Sequence, residues 1–311
     1  MDPDQDRLRG MLVGLAVGDA LGAPVEFMNP GSFEPVVDMR AGGPHRLPEG
    51  YWTDDTSMAL CSGVSLYLQG GFDPQDHMQR FLRWFREGYL SSTGRCFDIG
   101  TRTRQALLRF EKQGELFAGK ESFDSAGNGA LMRLAPLMIH CHRDPEQAER
   151  LAVEHCRLTH GDPRCLEANR LLARVIRLLG EGGSKEEGFL ALARGSGDLQ
   201  HRELRELAGG TFQRREPPQI RGRGYVVSAL EAALWAFGKS RTFYEGMLLA
   251  VNLGEDSDTT GAIYGQIAGT FYGYHAIPSQ WRAVLFQHEA IVALADLLMG
   301  REAAPLPQDW F

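Results

Sequence analysis

The amino-acid sequence predicts an all-α protein whose many helices form a single compact domain. Apolar residues recur every three or four positions along most of the 311 residues, whereas the alternation typical of strands is scarce. Asp-Pro pairs at residues 73, 144 and 162 are typical helix starts, because Asp caps the helix and Pro fits its first turn. No break in composition is large enough to indicate a domain boundary, so one domain is expected.

The first half of the chain divides into a short lead-in, six helices and one long loop. Residues 1–7 form a polar lead-in, and the predicted domain covers residues 8–300. Its first helix leads to Glu26, and residues 27–50 are an aperiodic loop rich in Gly and Pro. Pro136 should kink one of the later helices. These later helices are predicted over residues 57–68, from 74, over 101–110, over 129–139 and from 145.

The second half is also helical, with one weakly periodic stretch. A helix from residue 163 should end at Gly180. Residues 181–224 are charged and rich in Gly, a composition typical of short helices and surface loops. Residues 301–311 are predicted to be a loose C-terminal tail. The remaining helices are predicted over residues 225–237, 242–253, 259–274 and 288–299, with a turn at Pro278.

Two of the predicted helices carry glycine at every fourth position. The first series is Gly10, Gly14, Gly18 and Gly22, and the second is Gly261, Gly265, Gly269 and Gly273. At 3.6 residues per turn, each series forms a stripe without side chains. Because an interior glycine costs about 1 kcal/mol relative to alanine, each stripe indicates close approach of another backbone. We expect the stripes to lie against each other or against one neighbour, which would bring together acids from opposite ends of the sequence.

Acidic residues precede two of the predicted helices, in residues 53–56 and 255–259. Neighbouring carboxylates repel and lose solvation when buried, so such clusters are tolerable where a hard cation neutralises them. Residues 256–261 partly match a calcium EF-hand loop, but Ile267 stands where that loop requires glutamate. Helix capping would explain each acidic segment alone. Two such segments together with two glycine stripes favour a metal site.

Composition limits the possible partners and compartments. The net charge is −7, and no Lys/Arg patch with interleaved aromatic residues indicates nucleic-acid binding. The five cysteines are scattered and indicate reduced thiols of a cytoplasmic protein. No signal peptide is recognised, and the apolar run over residues 12–21 is interpreted as too short and too rich in Gly and Asp to span a membrane.

Five segments, in one order along the chain, resemble the ADP-ribosylglycohydrolases. This family includes the dinitrogenase-reductase-activating glycohydrolase and the ADP-ribosyl-acceptor hydrolases. The resemblance extends over residues 8–300. The segments are residues 18–26 (GDALGAPVE), 52–56 (WTDDT), 127–133 (GNGALMR), 157–160 (RLTH) and 256–261 (DSDTTG).

The resemblance implies an all-α fold with a dinuclear cleft for two divalent cations, Mg²⁺ or Mn²⁺. It implies hydrolysis of the bond between ADP-ribose and an acceptor on a modified protein, with ADP-ribose as product. By this resemblance one ion is held by Thr53, Asp54 and Asp55, and the other by Asp256, Asp258 and Thr259, with one Asp shared. A carboxylate, Asp55 or Glu26, would move the proton, and we take Asp55 as the better candidate.

The resemblance also implies substrate-binding residues. His160 would lie beside the adenosine end, and Tyr225 could stack on the adenine. Alone, Gly-Asn-Gly would be an ordinary turn, His160 a structural histidine and Tyr225 a packed aromatic. Backbone N–H groups in the Gly-Asn-Gly segment could bind an anion. The expected contacts to the pyrophosphate and ribose are Ser125, Gly127, Asn128 and Gly129.

The acceptor is expected to be arginine. Asp98, beside Gly100, matches an acidic position of the arginine-specific members, and its carboxylate could bind a guanidinium bidentately. Thr101 and Ser125 depart from the dinitrogenase-reductase enzyme, which has Asn and Asp there, so the protein target of that enzyme does not carry over. Two alternatives stay open: hydrolysis of serine-linked or ester-linked ADP-ribose, and a non-catalytic ADP-ribose-binding protein. A monomer is expected.

Overall fold

This computed structural model describes residues 2–121 and 126–311, and these residues contain fourteen α-helices. Within these residues the only β-structure consists of isolated bridges, which confirms the predicted fold class. Ser125 lies outside the described residues. The first seven helices are α1 Pro3–Gly22, α2 Asp54–Gln69, α3 Pro74–Glu87, α4 Thr101–Gln113, α5 Ala135–His140, α6 Pro145–Arg157 and α7 Pro163–Gly180. The others are α8 Lys185–Arg194, α9 Arg202–Ala208, α10 Val226–Lys239, α11 Phe243–Val251, α12 Ser257–Tyr272, α13 Ser279–Val284 and α14 His288–Leu298.

The Asp-Pro pairs begin three helices as predicted. The side chains of Asp73, Asp144 and Asp162 each accept a hydrogen bond from a backbone N–H in the first turn of α3, α6 and α7. This satisfies N–H groups that have no partner within the helix. Helix α7 ends at Gly180, and the weakly periodic stretch contains the short helices α8 and α9, both as predicted.

Two predicted helices differ from the structure, and a further short helix, α13, follows Pro278 where only a turn was predicted. Helix α1 begins at Pro3, inside the predicted lead-in, because Asp2-Pro3 is one more capping pair: the Asp2 side chain accepts from Asp4 N at 3.3 Å. The prediction of one helix over residues 129–139, kinked at Pro136, was wrong. A 3₁₀ turn over Leu131–Arg133 comes first, and Pro136 lies in the first turn of α5, where its missing N–H removes no helical hydrogen bond.

Helices α1 and α12 pack backbone to backbone along their glycine stripes, which is the first of the two arrangements that the stripes predicted. A Cβ atom at Gly14 would lie 2.4 Å from the carbonyl oxygen of Gly265, and one at Gly18 would lie 2.0 Å from that of Gly261. At the end of the stripe, a Cβ at Gly22 would lie 2.4 Å from the backbone nitrogen of Asp258. The helices are therefore antiparallel, and the end of α1 meets the acidic start of α12.

The apolar character of α1 reflects this central position. Residues Pro3–Val25 are long and apolar enough, by length and composition, to cross a membrane. The apolar run is thus longer than the sequence analysis allowed. In the fold, 94% of the most apolar window is buried, as in the core helix of a globular protein.

The C-terminal segment is packed against the region around the end of α3 rather than loose. Leu306 and Trp310 are 6% and 1% exposed, respectively. The Tyr89 hydroxyl donates a hydrogen bond of 2.5 Å to the carbonyl oxygen of Trp310. Two buried apolar side chains and one main-chain hydrogen bond therefore hold a segment that was predicted to be a loose tail.

Trp310→Ala should lower the free energy of unfolding by about 3–5 kcal/mol, the usual effect of truncating a large buried aromatic side chain. Phe311→Ala is the matched control, because that neighbouring side chain is 52% exposed and should change stability by less than about 0.5 kcal/mol. Urea titration followed by circular dichroism measures both. Equal stability of the two variants would mean that the C-terminal segment is not anchored by Trp310.

Candidate metal and substrate cleft

A cleft of about 840 Å³ opens where α1 ends and α2 and α12 begin. It collects residues from the distant segments that the sequence analysis singled out. Thr53 and Asp55 are buried beneath it, at 0% and 1% exposure. The predicted site residues that line the cleft are Glu26, Asp54, Asp98, Gly100, Gly127, Asn128, Gly129, His160, Asp256, Asp258 and Thr259.

The two acidic segments meet at the floor of the cleft. Asp55 Oδ2 lies 3.4 Å from the hydroxyl oxygens of both Thr53 and Thr259. The Thr53 hydroxyl is also 3.3 Å from Asp258 Oδ2. The first turns of α2 and α12 thus bring carboxylate and hydroxyl oxygens together, although some two hundred residues separate them in sequence.

Asp19 holds the acidic turn of α2 in place. Its Oδ1 accepts from the backbone N–H and the hydroxyl of Thr53, at 2.8 and 2.9 Å, and its Oδ2 accepts from the same two groups of Thr56, at 2.9 and 2.6 Å. Burial raises the pKa of Asp19 to about 6, although these hydrogen bonds oppose the shift. Asp19 therefore caps α2 from a different helix, a role that its position in sequence did not indicate.

The cleft has the chemical properties of a cation site. One carboxylate oxygen from each of Glu26, Asp256 and Asp258 lies within 4.8 Å of the others. Within the described residues, the buried atoms Asp55 Oδ1 and Asp258 Oδ1 have no hydrogen-bond partner. Burial, and then neighbouring carboxylates, raise the pKa of Asp54, Asp55 and Asp258 well above the usual range. Hard oxygen donors left without a partner fit a divalent cation.

His45, which was not predicted as a site residue, connects Glu26 at the floor of the cleft to Asp98 on its wall. Its Nε2 lies 3.1 Å from Glu26 Oε2 and 3.3 Å from Asp98 Oδ1. Hydrogen bonds with Asp98 and then Glu26 raise the pKa of His45 to about 10, so its ring is cationic at neutral pH. The length of the loop over residues 27–50 suggested a functional role, but no motif or periodicity in the loop pointed to His45.

The Gly127–Gly129 segment is held by the residues before α10. The backbone N–H of Asn128 donates to the carbonyl of Gly224 at 3.2 Å, and its side-chain amide donates to Asp256 Oδ2 at 2.7 Å. The N–H of Asn128 is therefore occupied in this structure and does not point to an anion. An isolated bridge that pairs Gly127 with Tyr225 brings the two segments together. The contacts of this segment with the pyrophosphate and ribose stay a prediction.

The structure places Tyr225 and His160 differently around the cleft. Tyr225 is half-buried beside the cleft-lining Gly224, and its hydroxyl donates to Glu203. His160 is 3% exposed and lines the cleft, with its ring edge beside Gly127 and Gly129. His160 thus faces the cleft directly, whereas Tyr225 belongs to its edge.

Glu255 joins the two loops at the rim and was not predicted as a site residue. Its backbone pairs with the loop after Glu26: Phe27 N donates to Glu255 O at 2.6 Å, and Glu255 N donates to Met28 O at 2.8 Å. Its carboxylate accepts from the guanidinium groups of Arg221 and Arg223. The rim above the acidic floor is therefore fixed by backbone pairing and by ion pairs.

Comparisons with known proteins agree with this architecture. The sequence profile of the ADP-ribosylglycohydrolase family matches residues 1–307. The "ADP-ribosylarginine hydrolase Tri1" of Pseudomonas putida (strain GB-1) is 40% identical over 303 residues, which cover 97% of this chain and 80% of the relative. The protein of the same name from Serratia proteamaculans (strain 568) is 39% identical over 295 residues, covering 94% and 79%. A solved structure described as an "ADP-ribosylglycohydrolase-related protein complex" superposes with a TM-score of 0.87 at 47% identity, covering 96% of this chain and 99% of that one. The chain belongs to the ADP-ribosylglycohydrolase family.

Proposed function

We propose that this protein hydrolyses the N-glycosidic bond between ADP-ribose and an arginine side chain of a modified protein, in a reaction that requires divalent cations. The observation that carries the proposal is the convergence of buried carboxylate oxygens under a cleft whose wall carries Asp98; two of these oxygens have no hydrogen-bond partner among the residues that the structure describes. The two relatives named as ADP-ribosylarginine hydrolases support the arginine linkage. The products are ADP-ribose and the unmodified protein.

We assign two cations, Mg²⁺ or Mn²⁺, to the floor of the cleft. Thr53, Asp54 and Asp55 would hold one, and Asp256, Asp258 and Thr259 would hold the other. The short distances from Asp55 to the hydroxyl groups of both segments support this arrangement. When bound, the cations would orient the ribose hydroxyls and lower the pKa of a water molecule.

Side chains of the cleft would also transfer the proton and bind the acceptor. Asp55 is our candidate for the group that moves the proton, because its second oxygen, Oδ2, lies 3.4 Å from the hydroxyl oxygens of both acidic segments and is distinct from Oδ1, the oxygen that fits a cation. Glu26 is the second candidate, since its carboxylate approaches those of Asp256 and Asp258. Asp98, on the wall, would hold the guanidinium of the acceptor in a charge-assisted hydrogen bond. Together these groups would place the scissile bond between the cations and the acceptor site.

An activity panel tests the function as a whole. ADP-ribose linked to arginine, to serine and through an ester would each be incubated with the protein and Mg²⁺ or Mn²⁺, with and without a chelator. We expect release from arginine that the chelator abolishes. Release from serine or ester linkages alone would favour O-linked substrates. Tight binding of ADP-ribose without any release would indicate a binding protein. The presence of Asp54, Asp55, Asp256 and Asp258 in the cleft favours an enzyme over this alternative.

Asp98→Ala should reduce kcat/KM for the arginine-linked substrate by about tenfold to a hundredfold, the usual range for loss of one charge-assisted hydrogen bond. Release from a serine-linked substrate should change less, since that acceptor has no positive charge. Asp198→Ala is the control, because Asp198 is an exposed acid outside the cleft lining. An equal loss on every linkage would show that Asp98 does not select the acceptor.

A further inference from the structure

Arg133 is a buried cation that the proposed reaction does not use. Its side chain is 0% exposed, and burial lowers its pKa to about 10, so it is still charged at neutral pH. Nη1 donates to the carbonyl of Gly129 at 2.6 Å, and Nη2 donates to the hydroxyl of Thr159 at 2.7 Å. The guanidinium carbon lies 4.7 Å from the centre of the Phe81 ring. A guanidinium has donors and no acceptor, so the direction of both hydrogen bonds is fixed.

The hydrogen bond from Arg133 to Thr159 determines the direction of the hydrogen bond between Thr159 and His160. The Thr159 hydroxyl, which accepts from Arg133, lies 2.8 Å from Nδ1 of His160. Thr159 is 1% exposed, and His160 Nδ1 is the acceptor within reach of its hydroxyl hydrogen. If Nδ1 carried a proton, that buried hydrogen would lose its acceptor, at a cost of about 1–3 kcal/mol. The hydroxyl therefore donates to Nδ1, and Nδ1 is the unprotonated nitrogen.

The opposite edge of the His160 ring then carries the proton and faces the cleft. Burial lowers the pKa of His160 to about 3, so the ring is neutral and has only one N–H. A Cβ atom at Gly127 would lie 3.3 Å from Nε2, and one at Gly129 would lie 3.0 Å from Cε1. Both glycines line the cleft, and their lack of side chains leaves this edge of the ring open to a ligand.

We propose that Arg133 and Thr159 are positioning residues that fix His160 as the Nε2–H tautomer, so that the cleft presents a hydrogen-bond donor beside Gly127 and Gly129. This donor selects a ligand with a lone-pair acceptor, a ring nitrogen or an oxygen of a nucleotide. The identity of the ligand rests on the proposed function. The tautomer does not, because it follows from the three side chains alone.

Nitrogen NMR on the wild-type protein with ¹⁵N-labelled histidine is the direct test, and it needs neither ligand nor activity. His160 should show a pyridine-like chemical shift at Nδ1 and a pyrrole-like shift at Nε2, with its signals assigned by their loss in His160→Gln. The reverse pattern, or an average of the two, would overturn the proposal.

Variants of Thr159 test the consequence for binding. Thr159→Val removes the hydroxyl at similar volume, and Thr159→Ser retains it. We expect the valine variant to lose the fixed tautomer and to bind ADP-ribose about tenfold more weakly by calorimetry, and the serine variant to retain both properties. Equal affinities of the two variants would overturn the role in binding. Thermal unfolding of both variants verifies that they are folded.

Fragments of the substrate locate the acceptor atom. Adenosine monophosphate carries the ring nitrogens together with sugar and phosphate oxygens, whereas ribose 5-phosphate carries only oxygens. If the valine variant binds only adenosine monophosphate more weakly than the wild type does, the acceptor is a nitrogen of the adenine; if it also binds ribose 5-phosphate more weakly, the acceptor is a sugar or phosphate oxygen. No change for either fragment would contradict the proposal. If wild-type protein binds no ADP-ribose while the NMR pattern is as expected, the proposed function fails and the tautomer assignment stands.

Discussion

Replacing Asp55 with asparagine should lower the turnover of ADP-ribosyl-arginine by about a thousandfold, within the range of about 10²–10⁴ that general acid–base groups contribute. Asparagine keeps the shape of the side chain but removes its charge and its capacity to move a proton. Initial rates at saturating substrate and cation, compared with those of the Asp198→Ala control, measure the effect. Near-normal turnover with cations bound would show that Asp55 is not the acid or base.

The stability of the same variant separates a catalytic role from general damage. In the chelated wild type, burial and then the neighbouring carboxylates raise the pKa of Asp55. Removing the charge should relieve this repulsion and raise the midpoint of thermal unfolding by about 1–2 °C, equivalent to about 1 kcal/mol for a chain of 311 residues. A lower midpoint in the chelated variant would mean that the substitution disrupts the fold and that its kinetics are uninformative.

Added cations should make the wild type more stable than Asp55→Asn, the reverse of the order expected in chelator. A ligand at a hundred times its Kd stabilises the folded state by about 2.7 kcal/mol, and the wild type should gain this from Mg²⁺ or Mn²⁺. Asp55→Asn should gain little, because its amide oxygen is a weaker ligand than a carboxylate. Equal stabilisation of both proteins would place the cations away from Asp55.

The parts of this fold that could be predicted from sequence are those governed by local rules. Asp-Pro pairs cap a helix wherever they occur, and their effect needs no knowledge of the tertiary structure. The glycine stripes could also be recognised from sequence, because the period of a helix determines which residues share a face. The stripes predicted that acids from opposite ends of the sequence would come together, and the antiparallel contact of α1 and α12 in the structure shows that Glu26 and Asp258 are among them.

The parts that sequence did not predict depend on contacts between distant segments. His45 lies in a loop without periodicity, so only the folded chain shows that it joins Glu26 to Asp98. Asp19 caps α2 through space, which no local capping rule anticipates. The N–H of Asn128 was expected to be available and instead pairs with Gly224, because the two loops form a bridge. In each case the partner is remote in sequence.

Gly265→Ala should lower the free energy of unfolding by at least about 3 kcal/mol, at the upper end of the usual effect of overpacking. The added Cβ would lie 1.9 Å from the carbonyl oxygen of Gly14 and 2.3 Å from its carbonyl carbon. These are backbone atoms, so no side-chain rotation can relieve the overlap, and α1 and α12 would have to separate. Because the acids of the cleft are brought together by these two helices, the variant should also bind cations more weakly.

The sign of this effect distinguishes packing from helix propensity. Alanine is favoured over glycine by about 1 kcal/mol inside a helix, so propensity alone predicts that Gly265→Ala stabilises α12. Gly71→Ala adds the same methyl group at a position with nothing within 4 Å and should change stability by less than about 0.5 kcal/mol. Chemical denaturation of both variants decides between the two effects. If Gly265→Ala proved as stable as the wild type, the helices could not be in backbone contact, and the stripes would no longer explain how the acids of α1 and α12 reach one cleft.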